Sequence, residues 1–119
     1  MPQTIDQLSA KKCAPCSGGV VPMDKKQAQQ LLDGLKEWRV APDGKSLRCE
    51  LLMKDFSAAV GLIFRIAQIA EEQDHHPDFH LTGYRRLVIE LSTHAIGGLS
   101  ENDFILAAKI EKLPKSLKA

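Results

Sequence analysis

Residues 55–74, with the sequence DFSAAVGLIFRIAQIAEEQD, decide the fold of this chain. Their apolar side chains recur at steps of three and four residues, which is typical of a helix packed along one face. The stripe contains Phe56, Ala59, Val60, Ile63, Phe64, Ala67 and Ala70, and it is widened by Leu62, Ile66 and Ile69. The helix is predicted to begin at Asp55 and to end near Asp74, because Pro77 disfavours helical geometry at His76. A stripe this wide favours burial against a sheet and also against a subunit partner.

Short strands are predicted on both sides of this helix. Before it, the turn signal PDGK at residues 42–45 joins a strand at residues 38–40 to an alternating strand. The apolar positions of that second strand are Leu47, Cys49, Leu51 and Met53. After the helix, a loop or short strand at residues 79–84 leads into a strong strand signal. In that signal the inward positions Leu87, Ile89, Leu91 and Thr93 alternate with Val88, Glu90, Ser92 and His94.

Two further helices complete the predicted order of elements. Asp24, with Gln27 as its capping-box partner, begins a helix that runs to about Leu35. Ser100, with Asp103, caps a last helix, whose apolar residues are Phe104, Ile105, Ala108 and Ile110. The order helix, strand, strand, helix, strand, strand, helix predicts an α+β domain, with antiparallel strands and with helices on their apolar face.

The first 22 residues differ in character from the rest. Proline and glycine interrupt any regular element there, so we expect residues 1–22 to be loosely structured and residues 23–119 to form a single domain. The region contains the pair Cys13-Ala14-Pro15-Cys16. Such a pair binds zinc or exchanges disulfides in some proteins, but a structural zinc takes two more ligands, and the spacing of Cys49 and His80 does not point to them. We favour the interpretation that this cysteine pair has no essential role.

The composition is that of an ordinary globular protein. The chain has 119 residues, of which 44% are hydrophobic and 26% charged, and its net charge is +1. Acids and bases are mixed without a basic stripe, which argues against nucleic acid as a direct ligand. The longest apolar run, residues 58–64, is too short to span a bilayer. Because three cysteines do not fit a secreted disulfide framework, we expect a cytoplasmic protein.

Histidines cluster after the long helix. Asp74-His75-His76-Pro77 is followed by His94, at the end of the strong strand signal. Histidine has an unperturbed pKa near neutral pH, so a cluster of histidines can both give and accept protons. Asp74 can orient an imidazole by accepting its second N–H. The pattern therefore favours a proton-transfer site.

Two other interpretations of the histidines stay open. The helix dipole favours a cation at a helix C-terminus by about 0.3 to 1 kcal/mol, so helix stability alone is enough to explain His75 and His76. Alternatively, a metal ion would find possible ligands in Asp74, His75, His76, Asp78 and His80. Adjacent residues of an extended segment point to opposite sides, however, so His75 and His76 would rarely chelate one ion. The helical pattern His-Glu-x-x-His is absent from the sequence.

These residues make the chain resemble the pterin-4α-carbinolamine dehydratases. The family pattern is an acidic residue, then His-His-Pro, an aromatic residue, a histidine and an aspartate. It is matched by Glu71, His75-His76-Pro77, Tyr84, His94 and Asp103. The sequences at residues 54–56, 91–94 and 98–103 also look like those of the family, and the Cys-x-x-Cys pair looks like that of bacterial members. The resemblance covers nearly the whole chain.

The resemblance implies a fold and a reaction. The fold is a four-stranded antiparallel sheet with helices on one face, assembled as dimers or tetramers. The reaction is the dehydration of 4a-hydroxytetrahydropterin to quinonoid dihydropterin, which regenerates the cofactor of aromatic amino acid hydroxylases. Neither a metal nor a redox cofactor is implied.

The resemblance also implies the roles of individual residues. His75 and His94 would be the acid and the base, in an order that stays open, and His76 would mainly bind the pterin. The ring would be lined by Asp74, Ser92, Thr93 and Ala95. Glu71 and Asp103 would support the histidines, although Asp103 is also favourable simply as an acid in the first turn of the last helix.

Two other functions stay open. One is pterin binding without dehydration. The other is a protein-interaction module, since animal members of the family also serve as dimerisation cofactors for a homeodomain transcription factor. We regard both as alternatives to the enzyme.

Overall fold

A four-stranded antiparallel sheet organises the protein, for which the computed structural model describes residues 4–14 and 21–118. The strands are β1 (Trp38–Val40), β2 (Leu47–Leu52), β3 (Asp78–Thr82) and β4 (Arg86–Leu91). They lie in the order β1-β2-β4-β3, so β2 and β4 form the middle of the sheet. The helices are α1 (Ile5–Ser9), α2 (Lys25–Leu31), α3 (Phe56–Gln73) and α4 (Glu101–Glu111). The predicted α+β class and the antiparallel sheet are confirmed.

One face of the sheet forms the core. Successive side chains of a strand point to opposite faces, so alternate residues of the central strands are buried together. They are Leu47, Cys49 and Leu51 of β2 and Leu87, Ile89 and Leu91 of β4. Cys49 lies opposite Ile89 in the register, whereas on the other face the exposed Arg48 lies opposite Glu90. The predicted alternation of burial is complete in β2, whereas in β4 Val88 on the other face is buried as well.

The long helix α3 has the predicted bounds, and part of its predicted apolar stripe packs in the core. Asp55 caps it by accepting a hydrogen bond from the Ala58 N–H at 2.8 Å. Its buried residues are Ala59, Leu62, Ile66 and Ala70. Phe56, Val60 and Phe64 of that stripe are exposed in the single chain, so they do not pack on the sheet, and their burial against a subunit partner stays a prediction. Both sets repeat at steps of three to four residues, so periodicity alone could not distinguish them.

Helix α4 lies deepest in the molecule. The predicted capping box is present, since the Ser100 side chain accepts from the helix backbone and Asp103 accepts the Ser100 N–H. The apolar residues Phe104, Ile105, Ala108 and Ile110 are buried as expected. Its first turn is buried too, including Asp103 with no exposed surface. A buried carboxylate is costly unless donors surround it, which makes its partners important for the site.

A short helix near the N-terminus was not predicted. Helix α1 begins after Thr4, which forms a capping box with Gln7, and it buries Leu8 completely. The Lys109 side chain on α4 donates to the Ser9 carbonyl at 2.7 Å, which ties α1 to α4. Five residues are too few to show helical periodicity, and α1 is stable through packing. Our expectation of a loose segment before residue 23 was therefore wrong for residues 5–9, while a division of the chain at residue 22 stays a prediction.

Helix α2 is shorter than predicted. Asp24 and Gln27 form the expected capping box, but the helix ends at Leu31 and not near Leu35. Gly34, at φ +93°, then turns the chain toward β1, and Leu35 is buried beyond that turn. Within the ranges that the structure describes, there is no helix of the length and apolar character that crossing a membrane requires.

Candidate active site

The predicted site residues come together around one cavity. Its volume is about 540 Å³, and it lies where α3 ends, β4 ends and α4 begins. All the residues expected at a bound ring line it, namely Asp74, His75, His76, Ser92, Thr93, His94 and Ala95. The two supporting acids lie outside the lining: Asp103 is buried and bonded to His75, and Glu71 is exposed and bonded to His76.

The end of α3 directs the two adjacent histidines. Asp74 adopts a left-handed conformation at φ 51°, and the His75 N–H donates to the Ala70 carbonyl at 3.2 Å. This is the hydrogen-bond pattern of a Schellman motif, in which the chain reverses sharply after the last helical turn. Asp tolerates the left-handed conformation better than most residues. The reversal brings His75 to α4 while His76 stays near solvent.

His75 is held by a buried carboxylate. Its Nε2 lies 2.7 Å from Asp103 Oδ1, and the His75 side chain is 11% exposed. An ionised carboxylate only accepts hydrogen bonds, so Nε2 is the donor and the ring's Nδ1 remains for proton exchange. The histidine segment by itself suggested Asp74 as the orienting acid, whereas the resemblance named Asp103 as a support for the histidines. In the structure the contact is made by Asp103, 28 positions from His75 along the chain.

Both oxygens of Asp103 are satisfied. Asp103 Oδ2 accepts from the Thr93 hydroxyl at 2.8 Å and from the Ser100 N–H at 3.0 Å. Since the single Thr93 proton is used in this way, the Ser100 hydroxyl donates to Thr93 Oγ1 at 2.8 Å. Asp103 is therefore both the capping acid of α4 and the partner of His75. Asp103 was interpreted from the sequence both as a support for a histidine and as an acid in the first turn of the last helix, and the one carboxylate makes both kinds of contact.

His76 has a weaker partner. Its Nε2 lies 3.1 Å from Glu71 Oε1, one turn back along α3. Both side chains are mostly exposed, so water screens the interaction and it holds the ring loosely. A loosely held imidazole at the edge of a cavity is suited to contacting a ligand.

His94 enters the cavity from the other side. The sequence predicted it at the end of a strand, but β4 ends at Leu91 and His94 begins a 3₁₀ turn, His94–Ile96. Gly97, at φ 67°, ends this turn, and the Thr93 N–H pairs with the Gly98 carbonyl at 2.8 Å. This closed loop sets His94 at the cavity, where its side chain is exposed.

Tyr84, the aromatic residue of the family pattern, does not line the cavity. It lies in the turn between β3 and β4 at φ 54° and is exposed. The Arg85 guanidinium lies 5.5 Å from the centre of its ring, and Arg85 donates to the carbonyls of Met53 and Lys54. The local geometry links Tyr84 to the hairpin, away from the histidines.

Cys49 and His80, which the sequence offered as further zinc ligands, do not line the cavity that Cys13 lines. Cys49 is buried within the sheet, where burial first and the nearby Glu37 and Glu111 carboxylates next raise the pKa of its thiol to about 12. His80 lies on β3 near Glu90. Cys13 is described and lines the cavity, whereas Cys16 lies outside the described residues. Throughout residues 4–14 and 21–118, no three His, Cys, Asp or Glu side chains are grouped closely enough to hold a metal ion.

Sequence reasoning missed several residues of the cavity wall. They are Cys13, Ala14, Glu72, Gln73 and Asn102. Gln73 and Asn102 each stand directly before a predicted site residue, Asp74 and Asp103, and this adjacency was the available signal. Cys13 and Ala14 reach the cavity through tertiary packing, which no local pattern reveals.

Comparison with known proteins assigns the family. A sequence profile described as "Pterin 4 alpha carbinolamine dehydratase" matches residues 21–113. The chain belongs to the pterin-4α-carbinolamine dehydratase family. A relative in Halorhodospira halophila that carries the family name is 43% identical over 106 residues, covering 89% of this chain and 96% of the relative.

A plant relative and a solved structure extend the comparison. The Arabidopsis thaliana protein named pterin-4-alpha-carbinolamine dehydratase 2, mitochondrial, is 44% identical, and the match covers 92% of this chain but 60% of that longer protein. A crystal structure from Brucella melitensis, described as a transcriptional coactivator/pterin dehydratase, has a TM-score of 0.69 at 29% identity. It covers 75% of this chain and 94% of that one. The shared fold agrees with the architecture implied by the sequence.

Proposed function

We propose that this protein dehydrates 4a-hydroxytetrahydropterin to quinonoid dihydropterin by acid–base catalysis between histidines. The observation that carries the proposal is the 2.7 Å contact between His75 Nε2 and the buried Asp103, at a cavity that His94 also lines. Membership of the dehydratase family supplies the class of reaction. The cavity of about 540 Å³ is of the size that small ligands occupy.

The reaction needs one acid and one base. The C4a–O bond breaks, and hydroxide leaves as water after taking a proton from one imidazolium. The N5–H proton passes to the second imidazole, and the N5–H electron pair forms the N5=C4a double bond. Positioned proton transfer of this kind contributes about 10²- to 10⁴-fold to a rate. Each turnover exchanges the protonation states of the two histidines, which solvent then restores.

His75 and His94 are the two groups that we assign to these proton transfers. Asp103 orients His75 and stabilises the positive charge that its ring carries in one of the two states. His76, near solvent and only loosely bonded to Glu71, is assigned to binding the pterin. Asp74, Ser92, Thr93 and Ala95 complete the walls that would contact the ring. No step of this scheme uses a metal or a redox cofactor.

A wider biological role follows from the reaction. Dehydration would return a pterin cofactor to the aromatic amino acid hydroxylase that oxidised it, and we propose that this occurs in the cytoplasm. We also propose that the protein is a homodimer or homotetramer. The exposed apolar residues Phe56, Val60 and Phe64 on α3 support a subunit contact.

A protein-interaction function is the second candidate. It is favoured by one comparison, since the Brucella melitensis relative is described as both a transcriptional coactivator and a pterin dehydratase. An interaction module would keep its partner in variants that lack His75 or His94. The dehydratase proposal instead requires that turnover be lost in these variants.

The decisive assay is the decay of enzymatically generated 4a-hydroxytetrahydropterin, followed in the ultraviolet with and without the protein and a chelator. We expect acceleration that survives the chelator and that falls by about 10²-fold or more in His75→Ala and in His94→Ala. His80→Ala is the matched control, because His80 is an exposed histidine on β3 outside the cavity lining. If the chelator abolished the acceleration, the metal-free mechanism would be contradicted. If folded wild-type protein did not accelerate the decay at all, the proposal that it is a dehydratase would be contradicted.

A further inference from the structure

Part of the N-terminal region forms one wall of the same cavity. Cys13 and Ala14 line it together with His75 and His94. Neither residue belongs to a helix or a strand. Backbone N–H and C=O groups in such a segment need partners from elsewhere in the protein. The identity of those partners shows how the segment is held.

Two side-chain amides hold the segment by its backbone. Asn102 Oδ1 accepts the Ala14 N–H at 2.9 Å, and Asn102 Nδ2 donates to the Ala14 carbonyl at 2.5 Å. Asn102 is 7% exposed, so these bonds are shielded from water. Gln73 Oε1 accepts the Cys13 N–H at 2.8 Å. The amides thus pair with the segment as the edge of a neighbouring strand would.

The same helix ends hold the histidine and this segment. Gln73 is the last residue of α3, directly before Asp74 and His75. Asn102 precedes Asp103, the partner of His75. On its other side, the segment follows α1, which buried Leu8 anchors in the core. The position of residues 13–14 relative to His75 is therefore set by α1, which precedes them, and by the helix-end residues Gln73 and Asn102.

We propose that residues 13–14 form a wall of the pterin site and that Gln73 and Asn102 are positioning residues for that wall. The inference rests on the proposed function, because it assigns a ligand to that cavity. The side chains of Cys13 and Ala14 are small, so a flat ring can approach them closely. Without this wall, one side of a bound ring faces water, which weakens binding but leaves the proton transfers at His75 and His94 intact.

Kinetics separates this role from a purely structural one. In Asn102→Ala and Gln73→Ala we expect the KM for 4a-hydroxytetrahydropterin to rise about 5- to 10-fold, the effect of losing a hydrogen bond, with kcat within about twofold. Gln30→Ala, an exposed glutamine on α2, is the control and should match wild type. Ala14→Pro removes the N–H that Asn102 accepts and changes no residue of α3 or α4. It should raise KM in the same way.

Hydrogen exchange detected by NMR gives a readout that does not depend on turnover. The probe is biopterin, a stable oxidised pterin, at saturating concentration. We expect the amides of Cys13 and Ala14 to exchange slowly in wild type and more slowly still with biopterin. The Ala14 amide should exchange quickly in Asn102→Ala, and the Cys13 amide should exchange quickly in Gln73→Ala, because each variant removes the acceptor of that N–H.

The outcomes separate this inference from the proposed reaction. Biopterin that slows exchange at residues 13 and 14 of a protein without dehydratase activity would support the wall and contradict the reaction. An active protein whose Asn102→Ala, Gln73→Ala and Ala14→Pro variants keep the wild-type KM would contradict the wall alone. Exchange at these amides that biopterin leaves unchanged would also overturn the wall.

Discussion

His75 takes its orientation from a residue 28 positions away along the chain. Asp103 accepts three hydrogen bonds, from His75, Thr93 and the Ser100 backbone, and it has no exposed surface. A carboxylate buried in this way is stabilised only while all its donors stay in place. Orientation of His75 and capping of α4 therefore depend on the same group.

Replacing Asp103 by asparagine tests this dependence. An amide has one accepting oxygen and an NH₂ group that donates, so at least one of the three donors at Asp103 would face another donor. We expect kcat in Asp103→Asn to fall about 10²-fold, and the free energy of unfolding to fall by about 1 to 3 kcal/mol. Steady-state kinetics and urea unfolding measure the two effects.

Asp24→Asn is the matched control for that substitution. Asp24 also caps a helix with its side chain, and asparagine caps equally well. Asp24 is exposed and does not line the cavity, so its variant should match wild type in both measurements. If Asp103→Asn kept wild-type kcat, the assignment of Asp103 as the partner that orients His75 for catalysis would be wrong.

At the scale of the element, α3 has apolar residues on two sides. One side packs in the core through Ala59, Leu62 and Ile66. The other side exposes Val60 and Phe64, the latter by 64%. A row of large apolar residues on an exposed helix face often marks an interaction surface, whereas a single exposed apolar residue is common on any protein surface. The expected dimer or tetramer would use this side.

The double substitution Val60→Glu with Phe64→Glu tests that surface. Because both side chains are exposed, we expect the fold to be retained, while charge repulsion across a helix contact reduces the assembly to monomers. Sedimentation velocity measures the mass, and circular dichroism checks the fold. Val21→Glu is the control, since Val21 is an apolar residue that is 85% exposed outside α3. A wild type that is already monomeric would contradict the predicted assembly, and an unchanged mass in the double variant would exclude this side of α3.

At the scale of the whole molecule, a carboxyl pair joins the start of β1 to the end of α4. The Glu37 N–H donates to Glu111 Oε1 at 3.3 Å, and Lys115 Nζ lies 3.6 Å from Glu37 while donating to the Glu111 carbonyl at 3.0 Å. Burial first, and a hydrogen bond to the Glu37 side chain next, raise the pKa of Glu111 above its ordinary value of 4.5. At a given pH the folded state therefore holds the Glu111 proton more tightly than the unfolded state does.

This preference has a defined effect on stability. Below pH 4.5 Glu111 is protonated in both the folded and the unfolded state, so its contribution is constant. As the pH rises from 4.5 through the folded pKa, the unfolded state loses its proton first, and the folded state is destabilised relative to it. We expect Glu111→Gln to have a higher free energy of unfolding than wild type at pH 7 and for this advantage to disappear below pH 4.5.

Urea unfolding at a series of pH values measures the difference between the two proteins. Asp33→Asn, which alters an exposed acid, should follow wild type at every pH. A Glu111→Gln variant that is less stable than wild type at pH 7 would show that the ionised carboxylate is favourable in the folded protein. That result would contradict the assigned direction of the pKa shift.

Much of the fold could be read from local patterns. The four strands, the ends of α3 and the capping boxes at Asp24 and Ser100 were predicted because alternation, helical periodicity and capping act over a few residues. Helix α1 was missed, since its five residues show no period and Leu8 becomes buried only against α4. The family pattern named the histidines and both acids, which no periodicity could have done.

By itself, then, the sequence determined the order of the elements, the turns and caps between them, and which residue types could carry proton chemistry. Only the tertiary structure decided which part of the α3 stripe faces the core, that Asp103 contacts His75 while Glu71 contacts His76, and that Ala14 meets Asn102 across 88 positions of the chain. The physical reason is the distance along the chain over which each kind of interaction acts. Propensity, periodicity and capping act between near neighbours, whereas these contacts arise when burial of the core brings distant helix ends together.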